Sequence, residues 1–138
     1  MTLTEWNALT TEERDAICAE RVMGWHKGVP VRGQPAYYSE SDWVWYNADR
    51  HSMALVRGTA PLSDRLVAFH PTTDRNATAM LVEKVSAMDL AERMIFDAEI
   101  RDLPDYKRCG SSRIALLLLD PSLIAYCCVK ACEEADDE

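Results

Sequence analysis

The sequence predicts an α+β fold: a helix-sheet-helix layered sandwich with a small, mainly antiparallel sheet and an aromatic insertion between its first two helices. Three observations lead there. Apolar residues recur at helical spacing in three separated, well-capped segments. A two-residue alternation follows the second of these segments, and an apolar run answers it. The chain has 138 residues, 48% hydrophobic and 28% charged, which suits one soluble core closed without disulfides or metal.

Thr10-Thr11-Glu12-Glu13 places a hydroxyl three residues before a carboxylate, the spacing that satisfies the free amides of a helix start. The helix it opens is expected from about Thr11 to Met23. Cys18, Val22 and Trp25 lie at i, i+4 and i+7, Ile17 widens the apolar face, and Gly24 supplies a left-handed stop. From Lys27 to Ser63 the pattern changes to Gly28, Pro30, Gly33 and Pro35, then to aromatics. Trp43-Val44-Trp45-Tyr46 favours a strand, and Met53 to Arg57 pairs with it across the turn Asn47-Ala48-Asp49-Arg50. This insertion, residues 27–63, is a long ordered loop with a hairpin, the kind of segment that often carries binding surfaces.

Leu66-Val67-Ala68-Phe69 reads as an extended approach to the junction His70-Pro71-Thr72-Thr73-Asp74, with His70 biased to extended geometry by the proline after it. Ala77, Met80, Leu81, Val85 and Met88 then share one face of a helix from about Thr73 to Met88, with Arg75, Glu83 and Lys84 on the wet side. Between Arg93 and Arg101, Met94, Phe96, Ala98 and Ile100 alternate mostly with polar residues, the period of a half-buried strand. Ile114 to Leu119 fits strand or helix on periodicity, and its shortness before Asp120-Pro121 favours a strand. Asp120-Pro121-Ser122 has the cap and first-turn chemistry of a third helix, whose buried stripe is Leu123 or Ile124, Cys127, Cys128 and Ala131. Residues 1–132 thus form a single α+β domain, and 133–138 an acidic tail leaving the core.

The net charge is −8, and five of these charges sit in Glu133, Glu134, Asp136, Asp137 and Glu138. The preceding residues are close to balanced. No run of Lys and Arg makes a phosphate-tracking stripe, which argues against direct nucleic-acid binding. Interspersed Arg and Lys argue equally against an acidic mimic of nucleic acid. Five cysteines, Cys18, Cys109, Cys127, Cys128 and Cys132, form no even disulfide framework and read as reduced thiols. Glu5, Glu12, Glu13 and Asp15 occupy the place of a targeting peptide, and the apolar run Ile114 to Leu119 is too short to span a bilayer. A soluble protein of a host cytoplasm, with no membrane contact, is the expectation.

Three segments, in order, carry a resemblance: Ala19-Glu20-Arg21-Val22-Met23-Gly24-Trp25, Phe69-His70-Pro71-Thr72-Thr73-Asp74, and Ile124-Ala125-Tyr126-Cys127-Cys128-Val129-Lys130-Ala131. Together they resemble the phage ABA sandwich domain family of bacteriophage and prophage proteins, with its Met-Gly-Trp segment, Asn-Pro-Ser-Thr-Asp-like junction and alanine-rich C-terminal helix. His70 stands where the family pattern has Asn, and Lys27 to Ser63 aligns with nothing in it. The resemblance implies a phage lineage and a helix-sheet-helix sandwich; it brings no active-site residues.

The residues themselves offer one ligand constellation. His70, Thr72 and Thr73 stand at a helix start, where free amides and the helix dipole favour an anion. Asp74 would compete for the same amides, so self-capping is the favoured reading of that junction. Trp25, Trp43, Trp45 and Tyr46 could stack on a base or receive an apolar side chain, and burial accounts for them equally well. His26, His51 and His70 have no ligand spacing, and Cys128 with Cys132 lacks further ligands, so neither a metal site nor a cofactor is implied. Asp97 and Glu99 would lie on one side of the expected strand. No phosphate loop, dinucleotide fingerprint or nucleophile elbow occurs.

The expected function is therefore that of a non-enzymatic phage accessory protein. It would bind a host-derived small molecule, such as a nucleotide-type defence signal, through Trp25, Trp43, Trp45, Tyr46, His70, Thr72 and Thr73, and so counter bacterial immunity. One alternative is a direct protein inhibitor of a host defence effector, acting through an acidic and aromatic surface; another is an enzyme with an unrecognised site. A homodimer that buries the aromatic insertion is the expected assembly.

Overall fold

The computed structural model describes residues 1–28, 44–49, 51–55, 69–103, 106 and 119–136. These form an α+β protein with five α-helices and a three-stranded antiparallel sheet. The elements divide into two compact units: a helical one from Met1–Met23 with His70–Glu138, and a second from Gly24–Phe69 that contains the expected insertion.

The helical unit opens with α1 (Leu3–Ala8), started by a capping box in which Thr2 and Glu5 satisfy each other's amides. Its Trp6 is fully buried, lies 6.0 Å from the Tyr126 ring and donates from Nε1 to Ser122 Oγ. The expected Thr10/Glu13 capping box starts α2 (Thr11–Ile17), which runs on as a π-helical turn, Cys18–Val22. Cys18 and Val22 are buried as their spacing predicts. Gly24 takes φ 72°, the left-handed stop expected of it.

Helix α3 (Arg75–Ser86) buries Ala77, Thr78, Leu81 and Val85. Met80, assigned to that face by its spacing, is 41% exposed. Helix α5 (Pro121–Asp136) is the centre of the unit, packing against α4 (Leu90–Asp102), α3 and the π-helical turn. Asp120 Oδ1 accepts from the Ser122 amide at 2.8 Å, the cap chemistry foreseen there. Every residue from Ile124 to Val129 is buried, a band wider than the expected stripe. The helix continues to Asp136, so Glu133 and Glu134 belong to it rather than to a tail; Glu133 pairs with Arg21 and Glu134 with Lys130.

The segment Arg93 to Arg101 is helical, where its alternation suggested a strand. Ile100 and Leu103 are buried, and Glu92, Ile95, Phe96 and Glu99 half-buried. Apart from Asp97, also of intermediate exposure, that set follows i, i+3, i+4, i+7, i+8 and i+11, a helical face. Met94 and Ala98, which made the alternation look apolar, are exposed. Residues 66–68 of the expected extended approach and 114–118 of the expected second strand lie outside the described residues.

The sheet is therefore built from the insertion: β1 (His26–Gly28), β2 (Val44–Tyr46) and β3 (Ser52–Leu55), in that order. The anticipated hairpin pairs Val44 with Leu55, Trp45 with Ala54 and Tyr46 with Ser52, with an irregularity between Trp45 and Tyr46. Asn47 Oδ1 accepts from the amides of Asp49 and His51 and closes the turn. Strand β1, with His26 opposite Tyr46, has no counterpart in the sequence reading. A Cβ on Gly28 would sit 3.0 Å from the Tyr46 ring, so the close approach of β1 to that ring suits a glycine. Trp25 meets Phe69 edge to face at 4.9 Å within the same unit.

Candidate functional site

The junction before α3 is organised by a residue absent from the sequence-derived site, Asp15 of α2. Its carboxylate is buried, and Oδ1 accepts from Thr72 Oγ1 at 2.7 Å and from the Thr72 amide at 3.2 Å. Oδ2 lies 3.1 Å from Nδ1 of His70, whose side chain is 46% exposed. The buried carboxylate thus has three partners, the condition under which such a group is tolerated inside a protein. The turn itself closes on His70, whose carbonyl accepts from the amides of Thr73 and Asp74.

Asp74 completes the closure. It has extended backbone geometry, and its side chain accepts from the Asn76 amide at 3.0 Å. Its carbonyl accepts from the Thr78 amide and hydroxyl, and the same hydroxyl donates to the Pro71 carbonyl. The favoured self-capped reading agrees with these bonds. The Thr72 amide and hydroxyl, which were to receive a ligand anion, already donate to Asp15, and Thr73 is exposed on the turn. No polar residue spacing could have revealed this, because Asp15 and Thr72 are 57 residues apart.

The aromatic members are differently placed. Trp25, Trp45 and Tyr46 are 5%, 2% and 6% exposed, which removes them as an open stacking surface. Large apolar rings on short strands lose too much hydrophobic stabilisation when left in water. Trp43 lies outside the described residues. His70, Thr72 and Thr73 belong to the helical unit, whereas Trp25, Trp45 and Tyr46 belong to the sheet unit.

Among the described residues, two cavities border α3. One, of about 460 Å³, lies along the first two turns of α3 with Ala79, Val82 and Ile124 as apolar walls and Arg75, Asn76 and Glu83 as polar ones. The other, of about 370 Å³, separates α3 from α4 and includes Val82, Phe96, Leu90 and Met94. Both volumes fall in the range of about 300–1,000 Å³ occupied by small-molecule sites. Neither includes a residue of the sequence-derived site.

The remaining chemistry is subdued. Burial, helped by Asp15 and Cys132, pushes the Cys18 thiol well up; burial likewise raises Cys127 and Cys128. Thiols so placed stay protonated and are poor nucleophiles. Asp97 and Glu99 are two residues apart on a helix, so they point about 200° apart rather than to one side. Burial, then Glu134, raises the Glu99 carboxyl above its ordinary value. No group of three or more metal-ligating side chains occurs among the described residues, and none of their helices is long and apolar enough to cross a membrane.

These elements define a small α+β protein with a helical unit, a separate hairpin-based sheet and a pair of open cavities beside α3. Comparison with known proteins finds no matching family model, no related curated sequence and no similar solved structure.

Proposed function

We propose that this is a non-enzymatic phage accessory protein that binds a small, host-derived molecule in the cavity along α3 and thereby blunts a bacterial defence. The observation that supports the reading is the composition of that cavity: an apolar wall of Ala79, Val82 and Ile124 bounded by Arg75, Asn76 and Glu83. A nucleotide-type signal matches this set. Arg75 offers a forked donor to a phosphate, Asn76 and Glu83 offer hydrogen bonds to a base edge, and the apolar wall receives the base face. Specificity then resides in the solvent side of α3, one turn beyond the junction, instead of in the buried tryptophans. The phage lineage enters through the three resembling segments.

Calorimetry of the whole chain against a panel of signalling nucleotides tests this reading, together with mass spectrometry of small molecules released from protein purified out of infected cells. A bound species is expected. Arg75→Ala should weaken it by about tenfold or more, since a charge-assisted hydrogen bond contributes about 1.5–3 kcal/mol. A silent panel combined with no released molecule overturns the proposal.

A further inference from the structure

Glu83 is a carboxylate that its own helix does not support. It begins the last turn of α3, where the helix dipole disfavours a negative charge. Its neighbours at i±3 and i±4, Ala79, Met80, Ser86 and Ala87, include no cation, and among the described residues no ion pair engages it. It is exposed and walls the cavity along α3, eight residues beyond Arg75, which has no ion pair among the described residues either. That separation is about 12 Å along the helix axis. Ala79 and Val82 lie between the two charges, and Ile124 of α5 adds to the apolar surface there.

We infer that Glu83 selects a guanine base in this cavity; the inference rests on the proposed nucleotide site and specifies its ligand. A carboxylate only accepts hydrogen bonds, and it offers two oxygens side by side. The ligand edge that satisfies both must present two adjacent donors. Guanine has such an edge, made by its ring N–H and the exocyclic amino group next to it. Adenine and cytosine each set an amino donor beside a bare ring nitrogen, and uracil flanks its one N–H with two carbonyls. Each of those edges turns at least one lone pair toward the carboxylate, so the same group that attracts guanine repels them.

The two charges also set the direction of binding. With a phosphate held on Arg75, the base is carried along the apolar wall toward the far end of α3, and its donor edge arrives at Glu83. A reversed ligand would bring phosphate against the carboxylate, two like charges in one cavity. Glu83 is therefore the residue that determines specificity, and Arg75 the one that supplies an anchor common to all nucleotides.

Calorimetry of the whole chain against the nucleoside monophosphates of guanine, hypoxanthine, adenine, cytosine and uracil tests the inference. The guanine nucleotide should bind at least about tenfold tighter than the adenine one, the discrimination that a bidentate pair supplies. Hypoxanthine, which lacks the amino group, should fall between them. Glu83→Gln replaces one oxygen by a donor and so matches xanthine, whose ring N–H adjoins a carbonyl. The variant should lose the guanine preference and gain about tenfold for the xanthine nucleotide, an increase that damage to the fold would not produce. Equal binding of guanine and adenine nucleotides, or an unchanged preference in Glu83→Gln, overturns the role of Glu83 while the cavity reading stands if Arg75→Ala still weakens binding. Silence across the whole panel overturns both.

Discussion

Asp15→Ala is the substitution that most directly tests how the α3 junction is held. It leaves the Thr72 amide and hydroxyl, which donate to Asp15 Oδ1 at 3.2 and 2.7 Å in a buried setting, without an acceptor. An orphaned buried donor costs about 1–3 kcal/mol, so the two together threaten up to about 6. Part of this is returned, because the buried carboxylate no longer has to be desolvated. His70 adds little, since a half-exposed ring can exchange its partner for water. The expected loss is about 3 kcal/mol. Asp15→Asn keeps an oxygen for Thr72 and should cost about 1–2 kcal/mol, the charge-assisted share of the bonds. Urea denaturation followed by circular dichroism measures both, because every described helix lies in the same unit as the network. A double-mutant cycle of Asp15→Ala with Thr72→Val should show coupling of about 1–2 kcal/mol. A loss below about 1 kcal/mol for Asp15→Ala, or strict additivity with Thr72→Val, would refute the claim that this carboxylate organises the junction.

The other expectations concern titration and thiol chemistry. Glu99 is raised above 4.5 in the folded chain by burial first and by Glu134 next, so the folded state holds this proton more tightly than the unfolded state; the resulting stability is present below pH 4.5 and is lost as pH climbs through the folded value. Glu99→Gln should flatten the stability profile just above pH 4.5 and leave it unaltered below, and denaturation curves across that window that match the parent slope would contradict the assignment. Buried Cys18, Cys127 and Cys128 should resist a thiol reagent in the native protein by at least about 100-fold relative to the urea-unfolded chain; peptide mapping that finds any of them labelled early would show that its cover opens.

The local chemistry of helix starts was legible in the sequence because it is short-range. Thr10 with Glu13, Asp74 before α3 and Asp120 before α5 each act within three residues, and Gly24 needs only its own backbone angle. The Asn47 turn and its hairpin were legible for the same reason. Helix α1 and strand β1 were missed: one is six residues long and the other three, too brief for a period to register.

What only the tertiary structure decided follows from long-range burial. Periodicity tells which residues could share a face, and in α4 both a strand and a helix pattern were present; packing against α5 buried Ile100, half-buried Phe96 and left Met94 and Ala98 in water, which chose the helix. Trp25, Trp45 and Tyr46 were candidates for an open surface until the sheet unit enclosed them. Asp15 looked like one more acid of a charged first helix, and its role depended on Thr72 and His70 arriving from more than fifty residues away. The sequence by itself determined where three of the helices begin, where one turn falls and that a core of this size would form. The tertiary structure decided which carboxylate is buried and which helical face stays bare, because those are properties of what packs against a segment and are not encoded within it.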